Sequence, residues 1–460
     1  MIRTKARISS ADPSHIGDDF REEADCRGRH SKADTTYLKR TSAFLVIGAC
    51  LYNALLAILS ARGLPVTLTH VALCEILILG IATLLLATSK ARPLDAAALS
   101  LLVAFFLGAL LLSFVNSGFV VEAFRNVSII AVFSLLGLRC DAHVVRWTFG
   151  IIIGVVLAVM ILEMAALPVY TSVFNPFAYY QSTRGLGEVD YDDLGVFGNA
   201  RGFEGRFTFG LFTTPRTSSI FLEQTSLANF CSVVGIYLLA MWRSLGRGER
   251  LLGLAFVLLA LVSNNTRMGS VFALLCLVGY HLFPRLPRAA LMLLPLVILG
   301  LAGFLTTQME ASREDDLAGR IGLSVKLLGS TDLAGTLGAR AFETGQFPDS
   351  GYSYVLYSSS IVGAVALWLY VTLFIPFDTP AQRRCAWGLA LFFFLNLLIA
   401  GNAIFAMKIA APLWLLAGHV AGLSGSRAGR PRAFSRAAAA IPRRAALAST
   451  SSSRSTPHAL

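Results

Sequence analysis

The sequence predicts an all-α integral membrane protein with about 12 transmembrane helices and two large outer loops. Three observations carry that prediction. The 460 residues are 55% hydrophobic and 14% charged, with mean hydropathy +0.66, a balance outside that of soluble domains. Apolar runs near the ~20 residues needed to cross a ~30 Å hydrocarbon layer recur along the chain. The basic residues gather in short segments between those runs and at the two ends. The net charge of +12 is therefore a positive-inside pattern and not a nucleic-acid groove.

Residues 1–40 mix acidic and basic side chains without periodicity and are expected to be a disordered cytoplasmic extension. No apolar run precedes residue 41, so the first span is expected to serve as its own insertion signal. Candidate spans within the membrane domain, 41–423, lie near 42–61, 66–88, 95–116, 119–138, 147–168, 216–241, 250–264, 267–283, 288–306, 351–375, 386–401 and 403–423. With the N-terminus inside, Lys90, Arg92, Arg139, Arg146, Arg243, Arg247, Arg250, Arg285, Arg288, Arg383 and Arg384 fall in cytoplasmic connections. The seven arginines of the tail, 424–460, join them beside anionic headgroups. Loops 169–215 and 307–350 then face the other side, holding twelve acidic residues against eight Lys or Arg, Arg216 included. The seven cysteines, Cys26, Cys50, Cys74, Cys140, Cys231, Cys276 and Cys385, all avoid these two loops, so no disulfide framework is implied.

In this topology every even-numbered span starts on the outer side, where free N–H groups present a partial positive charge. Arginines stand in the first turns of three such starts: Arg125 after Asn116-Ser117, Arg216 after Thr214-Pro215, and Arg267 after Asn264-Asn265-Thr266. A guanidinium there repeats the sign of the helix end and calls for an anion or a carboxylate. One reading has Arg216 and Arg267 snorkel to headgroups and Arg125 pair with Glu122. The other has them line one anionic pocket, whose phosphate the forked guanidinium geometry would suit. For Arg216 the second is favoured. Within TTPRTSSIFLEQTSLANF, Glu223 lies seven residues on, nearly the same helix face, about 10 Å deeper.

Glu75, Glu163 and Glu223 are intramembrane carboxylates and therefore functional suspects. A packed polar contact is expected for Glu75, either role for Glu163, and a site for Glu223. Lys408 needs an acidic partner that the sequence does not name. In the second loop, Arg320 to Leu328 suggest a short amphipathic helix on the membrane face. With the turn-rich stretch that follows, this loop reads as a lid or as a solvated connector. Asp190, Asp192 and Asp193 read as a solvated, turn-containing loop, with metal binding as the alternative.

These features together resemble the bacterial O-antigen polymerase and ligase superfamily, and specifically its Wzy-type polymerases. PRTSSIFLEQTSLAN is similar to the family's Arg-containing start of a middle span, and SNNTRMGSVFALLCL to its Ser-Arg-Gly-type turn. GRIGLSVKLLGSTDLAGTLG followed by DSGYSYVLYSSSIVG resembles its long outer loop. Ligases of the superfamily place a histidine in that loop. None of the seven histidines here falls in either loop, and Asp349-Ser350 stands in that region. The paired arginine-glycine loop motifs of some polymerases do not fit Arg184, Arg201 and Arg206 exactly.

The resemblance implies two periplasmic loops, both termini cytoplasmic, and a metal-independent glycosyl transfer, without a cofactor, at the inner membrane. The substrates it implies are an undecaprenyl-pyrophosphate-linked glycan donor and a lipid-linked repeat as acceptor. A chain-length regulator and a flippase would be partners besides the membrane lipids, with no nucleic acid. Under it, Arg216, Arg267, Arg320 and Arg125 would bind pyrophosphate, and Glu223 or Asp349 would take the acceptor proton. A ligase of the same superfamily and a lipid-linked glycan transporter are the alternatives. Lack of internal repeats and of paired broken helices weighs against the transporter.

Overall fold

The computed structural model describes residues 14–185, 195–197, 200, 215–308, 317–347, 349–399 and 401–423, with side chains from Tyr37 onward. No strand occurs among the described residues. The helices run in the order α1 (Ser14–Ala61), α2 (Leu68–Ala87), α3 (Asp95–Val115), α4 (Glu122–Arg139) and α5 (Ala142–Ala165). The first long connection holds α6 (Leu167–Phe174) and α7 (Pro176–Arg184), and is followed by α8 (Gln224–Met241), α9 (Arg247–Asn264), α10 (Arg267–Leu282) and α11 (Arg288–Gln308). The second holds α12 (Leu317–Gly329) and α13 (Leu333–Thr336), before α14 (Gly351–Leu373), α15 (Pro380–Ile399) and α16 (Met407–Gly422).

Among the described residues, eight helices are long and apolar enough to cross a membrane: Tyr37–Ala61, α2, α3, α5, Gln224–Ser244, Arg267–Arg285, α11 and α14. The other four expected spans are also helices, α4, α9, α15 and α16, but they fall short of that standard. Helices α4 and α9 have 18 residues with charges at their ends, and α16 has only 16. Two of these four, α4 and α16, lie at the centre of the bundle. Their residues are almost all buried, so protein and not lipid surrounds them. Helices α2 and α3 are peripheral, and Leu73, Ile76, Leu77 and Leu84 with Leu107, Leu111 and Phe114 face outward. An apolar surface of that extent is stable against hydrocarbon and not against water.

The closest helix crossing explains the small residues of the central pair. A Cβ on Gly418 would lie 2.0 Å from the Ser134 carbonyl oxygen, and one on Gly137 would lie 2.2 Å from that of Leu415. Glycine at both positions lets the α4 and α16 backbones touch, as small residues do at membrane helix interfaces. At one end of the bundle, ion pairs tie short connections together. Arg139 of α4 holds the buried Asp95 of α3 at 2.7 and 3.0 Å, and Lys39 holds Asp141, the N-cap of α5, at 2.9 Å.

Both long connections lie at the opposite end. Asn116, expected to cap α4, instead ends α3, and its amide spans to the second connection at Gly338 O (2.8 Å) and Ala341 N (3.0 Å). Helix α12 is the expected short helix, and it packs on α11, α14 and α15. Helix α14 departs from expectation. It is interrupted at Ser360 (φ 61, ψ 173), a broken helix that the sequence did not disclose.

Candidate functional site

The segment 215–223 decides the geometry of the long-connection end. It is not the first two turns of a membrane helix. Pro215 to Ser218 are irregular, Ser219–Phe221 form one 3₁₀ turn, and α8 begins only at Gln224 with Glu223 as its N-cap. Arg216 and Glu223 therefore do not share a helix face. The physical reason is long-range hydrogen bonding that competes with helix formation. The Glu163 carboxylate on α5 accepts from the Ser218 and Ser219 backbone N–H groups at 2.7 to 3.0 Å and from the Ser218 hydroxyl at 3.0 Å. These bonds hold two residues at positive φ, Ser219 (50°) and Leu222 (62°), a conformation side chains other than glycine's rarely adopt. The Tyr170 hydroxyl donates to the Ser219 carbonyl at 2.8 Å, closing the strap from the other side.

The strap delivers Glu223 into a half-buried cluster. Its Oε2 is 3.3 Å from Arg184 of α7 and 3.7 Å from Lys408 of α16, and it accepts from the Ser226 hydroxyl at 3.0 Å. Lys408, 3% exposed at its side chain, also donates to the Phe221 carbonyl at 3.0 Å. The Arg184 guanidinium lies 4.3 Å over the Tyr180 ring. Burial works against the charge of Arg184, but the Glu223 carboxylate outweighs it, so its pKa is raised. Lys408 thus has the acidic partner it required, supplied from 185 residues earlier in the chain.

Arg125 has a different partner from the one expected. Its guanidinium forms a two-pronged bond to Glu75 of α2, one prong 2.8 Å long, rather than pairing with Glu122. Glu75 also accepts from the Tyr52 hydroxyl at 2.7 Å, the packed polar contact expected of it. Glu122 instead lies 3.4 Å from the Thr344 hydroxyl of the second connection. Arg125 is thus the fourth residue of α4 and part of an interhelical ion pair.

Arg216 and Arg267 flank the α9–α10 turn. The Arg216 Nε donates to the Asn264 carbonyl at 2.7 Å, and the Asn264 amide reaches back to the Thr217 and Gln224 carbonyls at 2.7 and 2.9 Å. Arg267 is the first residue of α10 after its N-cap Thr266, as the sequence indicates. On the second connection, Arg320 of α12 lies 3.7 Å from Asp349, and both are well exposed. Thr214, Asp190, Asp192, Asp193, Arg201 and Arg206 lie outside the described residues. Among the described residues no group of three or more His, Cys, Asp or Glu is gathered as for a metal, and six cysteines are free.

Sequence reasoning set Arg184 aside and passed over Tyr180. The clue available was the four-residue spacing in YYQSTR, which stacks Arg on Tyr along one helix face. No protein-family model, curated protein or solved structure matches this chain.

Proposed function

We propose that the protein polymerises lipid-linked oligosaccharide repeat units into an O-antigen, capsular polysaccharide or exopolysaccharide at the periplasmic face of the inner membrane. In this reading all twelve helices lie in the membrane and both long connections are periplasmic. What supports it is that Arg184 with Glu223, Arg320 with Asp349, and Arg216 and Arg267 beside the α9–α10 turn all stand at the long-connection end of an apolar helical bundle. A lipid-borne pyrophosphate presents itself at such a place, with its tail in hydrocarbon and its charge at the helix ends.

Arg216, Arg267 and Arg320 bind the pyrophosphate of the donor, whereas Arg125, paired with Glu75, serves the packing of α2 on α4. The acceptor hydroxyl attacks the anomeric carbon of the donor sugar. The bond to the pyrophosphate oxygen breaks with its electron pair, and undecaprenyl pyrophosphate leaves. Positive charge fixed beside the leaving oxygens lowers the barrier as their charge grows. Asp349, exposed beside Arg320, accepts the acceptor proton, while Glu223 is held by two cations and a hydroxyl and orients Arg184 and Lys408. The glycan is transferred as a whole, so each turn lengthens the polymer by one repeat.

The test is purified protein with a lipid-linked repeat, read as a ladder of product lengths. Arg216→Ala and Arg320→Ala each abolish the ladder while the protein inserts and folds normally. Wild-type product lengths in both variants overturn the site. Transfer of finished chains to another acceptor, with no lengthening, overturns polymerisation in favour of ligation.

A further inference from the structure

A groove between α8, α9 and α10 begins within a turn of Arg267, at Gly269, and opens at the end opposite the proposed chemistry, beside Trp242 and Tyr280. Helices α9 and α10, joined through Asn265 and Thr266, each pack on α8 but hardly on each other. They splay into a V with α8 as its floor, enclosing a cavity of about 610 Å³. Small residues Gly235, Gly269 and Ala273 leave the room, and Phe272 and Leu277 line it. At the wide end Trp242 and Tyr280 meet edge to face, 6.4 Å between centroids.

That aromatic end is capped by cations. Arg250 lies 5.1 Å over the Trp242 ring, and Arg384 lies 3.7 Å over the Tyr280 ring. Arg243, exposed beside them, opposes the charge of Arg384. Among the described residues no carboxylate pairs with Arg243, Arg250 or Arg384, and the buried Nε of Arg250 has no hydrogen-bond partner. Arg243 and Arg250, with Arg384 buried behind them and donating its Nε to the Tyr280 carbonyl at 2.9 Å, set positive charge around two amphipathic rings above an apolar slot, a mouth that suits an anion with a hydrocarbon tail.

We propose that this groove binds one acyl chain of an anionic phospholipid, with its phosphate against Arg243 and Arg250. The site is independent of the glycan reading and survives its failure. The experiment compares melting temperatures of the protein in nanodiscs of phosphatidylglycerol and of phosphatidylcholine. Phosphatidylglycerol raises the melting temperature of the wild type. The rise is lost in Ala273→Phe, which fills the groove, and in Arg243→Gln/Arg250→Gln, which strips its mouth.

A second measurement needs no core substitution. Phosphatidylglycerol with brominated chains quenches Trp242, identified by its difference from Trp242→Phe, several-fold more than brominated phosphatidylcholine does. Equal effects of the two lipids overturn the proposal, as does a full rise in Ala273→Phe. Complete displacement of phosphatidylglycerol by equimolar polyprenyl phosphate also overturns it, reassigning the groove to the carrier lipid.

Discussion

Glu223→Gln tests whether the cluster of Glu223, Arg184 and Lys408 is one electrostatic unit. The substitution keeps shape and removes the carboxylate charge that Lys408 meets at 3.7 Å. At an effective dielectric constant near 20, a unit pair at that separation interacts by roughly 4 kcal/mol. Lys408 retains only neutral acceptors, the Phe221 carbonyl and the Tyr180 hydroxyl, and breaking such a buried pair on one side costs about 3–5 kcal/mol. Glu223→Gln/Lys408→Met removes both charges and is more stable than Glu223→Gln alone. The coupling energy of the double-mutant cycle is about 2 kcal/mol. The assay is reversible unfolding in bicelles followed by tryptophan fluorescence. Additivity of the two substitutions within about 0.5 kcal/mol would refute the pairing.

Other outcomes follow from the same geometry. Arg125→Ala strands Glu75 among apolar neighbours and Tyr52, and destabilises the fold by about 2–4 kcal/mol in the same assay; Glu75→Gln/Arg125→Ala recovers part of that loss. Gly418→Ala drives a methyl group into the Ser134 carbonyl and costs 1–3 kcal/mol or more, read as a lower melting temperature, whereas Gly300→Ala, with open space at its Cβ, leaves melting unchanged. Burial raises the pKa of Asp141, but its bonds from Lys39 and the Val144 N–H outweigh this and leave it below the ordinary 3.8. The stability it contributes is therefore complete above pH ~4 and is lost as pH falls through the lowered value. Asp141→Asn removes that acid-side slope in a pH series of melting temperatures.

The sites that were legible and those that were not differ in the range of their interactions. Arg267 at the start of α10 and the short helix α12 follow from caps and periodicity within a few residues, and they stand where the sequence puts them. The start of α8 does not. TTPRTSSIFLEQTSLANF reads as one helix by hydropathy and capping grammar, but Glu163 pulls the backbone at Ser218 and Ser219 out of helix from 55 residues away. Arg125 likewise had a local partner in Glu122 and took Glu75 instead, because α2 and α4 pack against each other.

By itself, the sequence determined the helical class, the apolar segments and the poles of charge, because hydrophobic runs and basic clusters act through their own composition. It also marked Glu223 and Lys408 as too costly to bury alone. Only the tertiary structure decided that these two meet, that Arg184 joins them, and that Arg216 belongs to a strap and not to the helix. Those outcomes depend on which helices touch, and helix contacts are set by complementary surfaces, such as the Gly137 and Gly418 crossing, whose partners lie hundreds of residues apart.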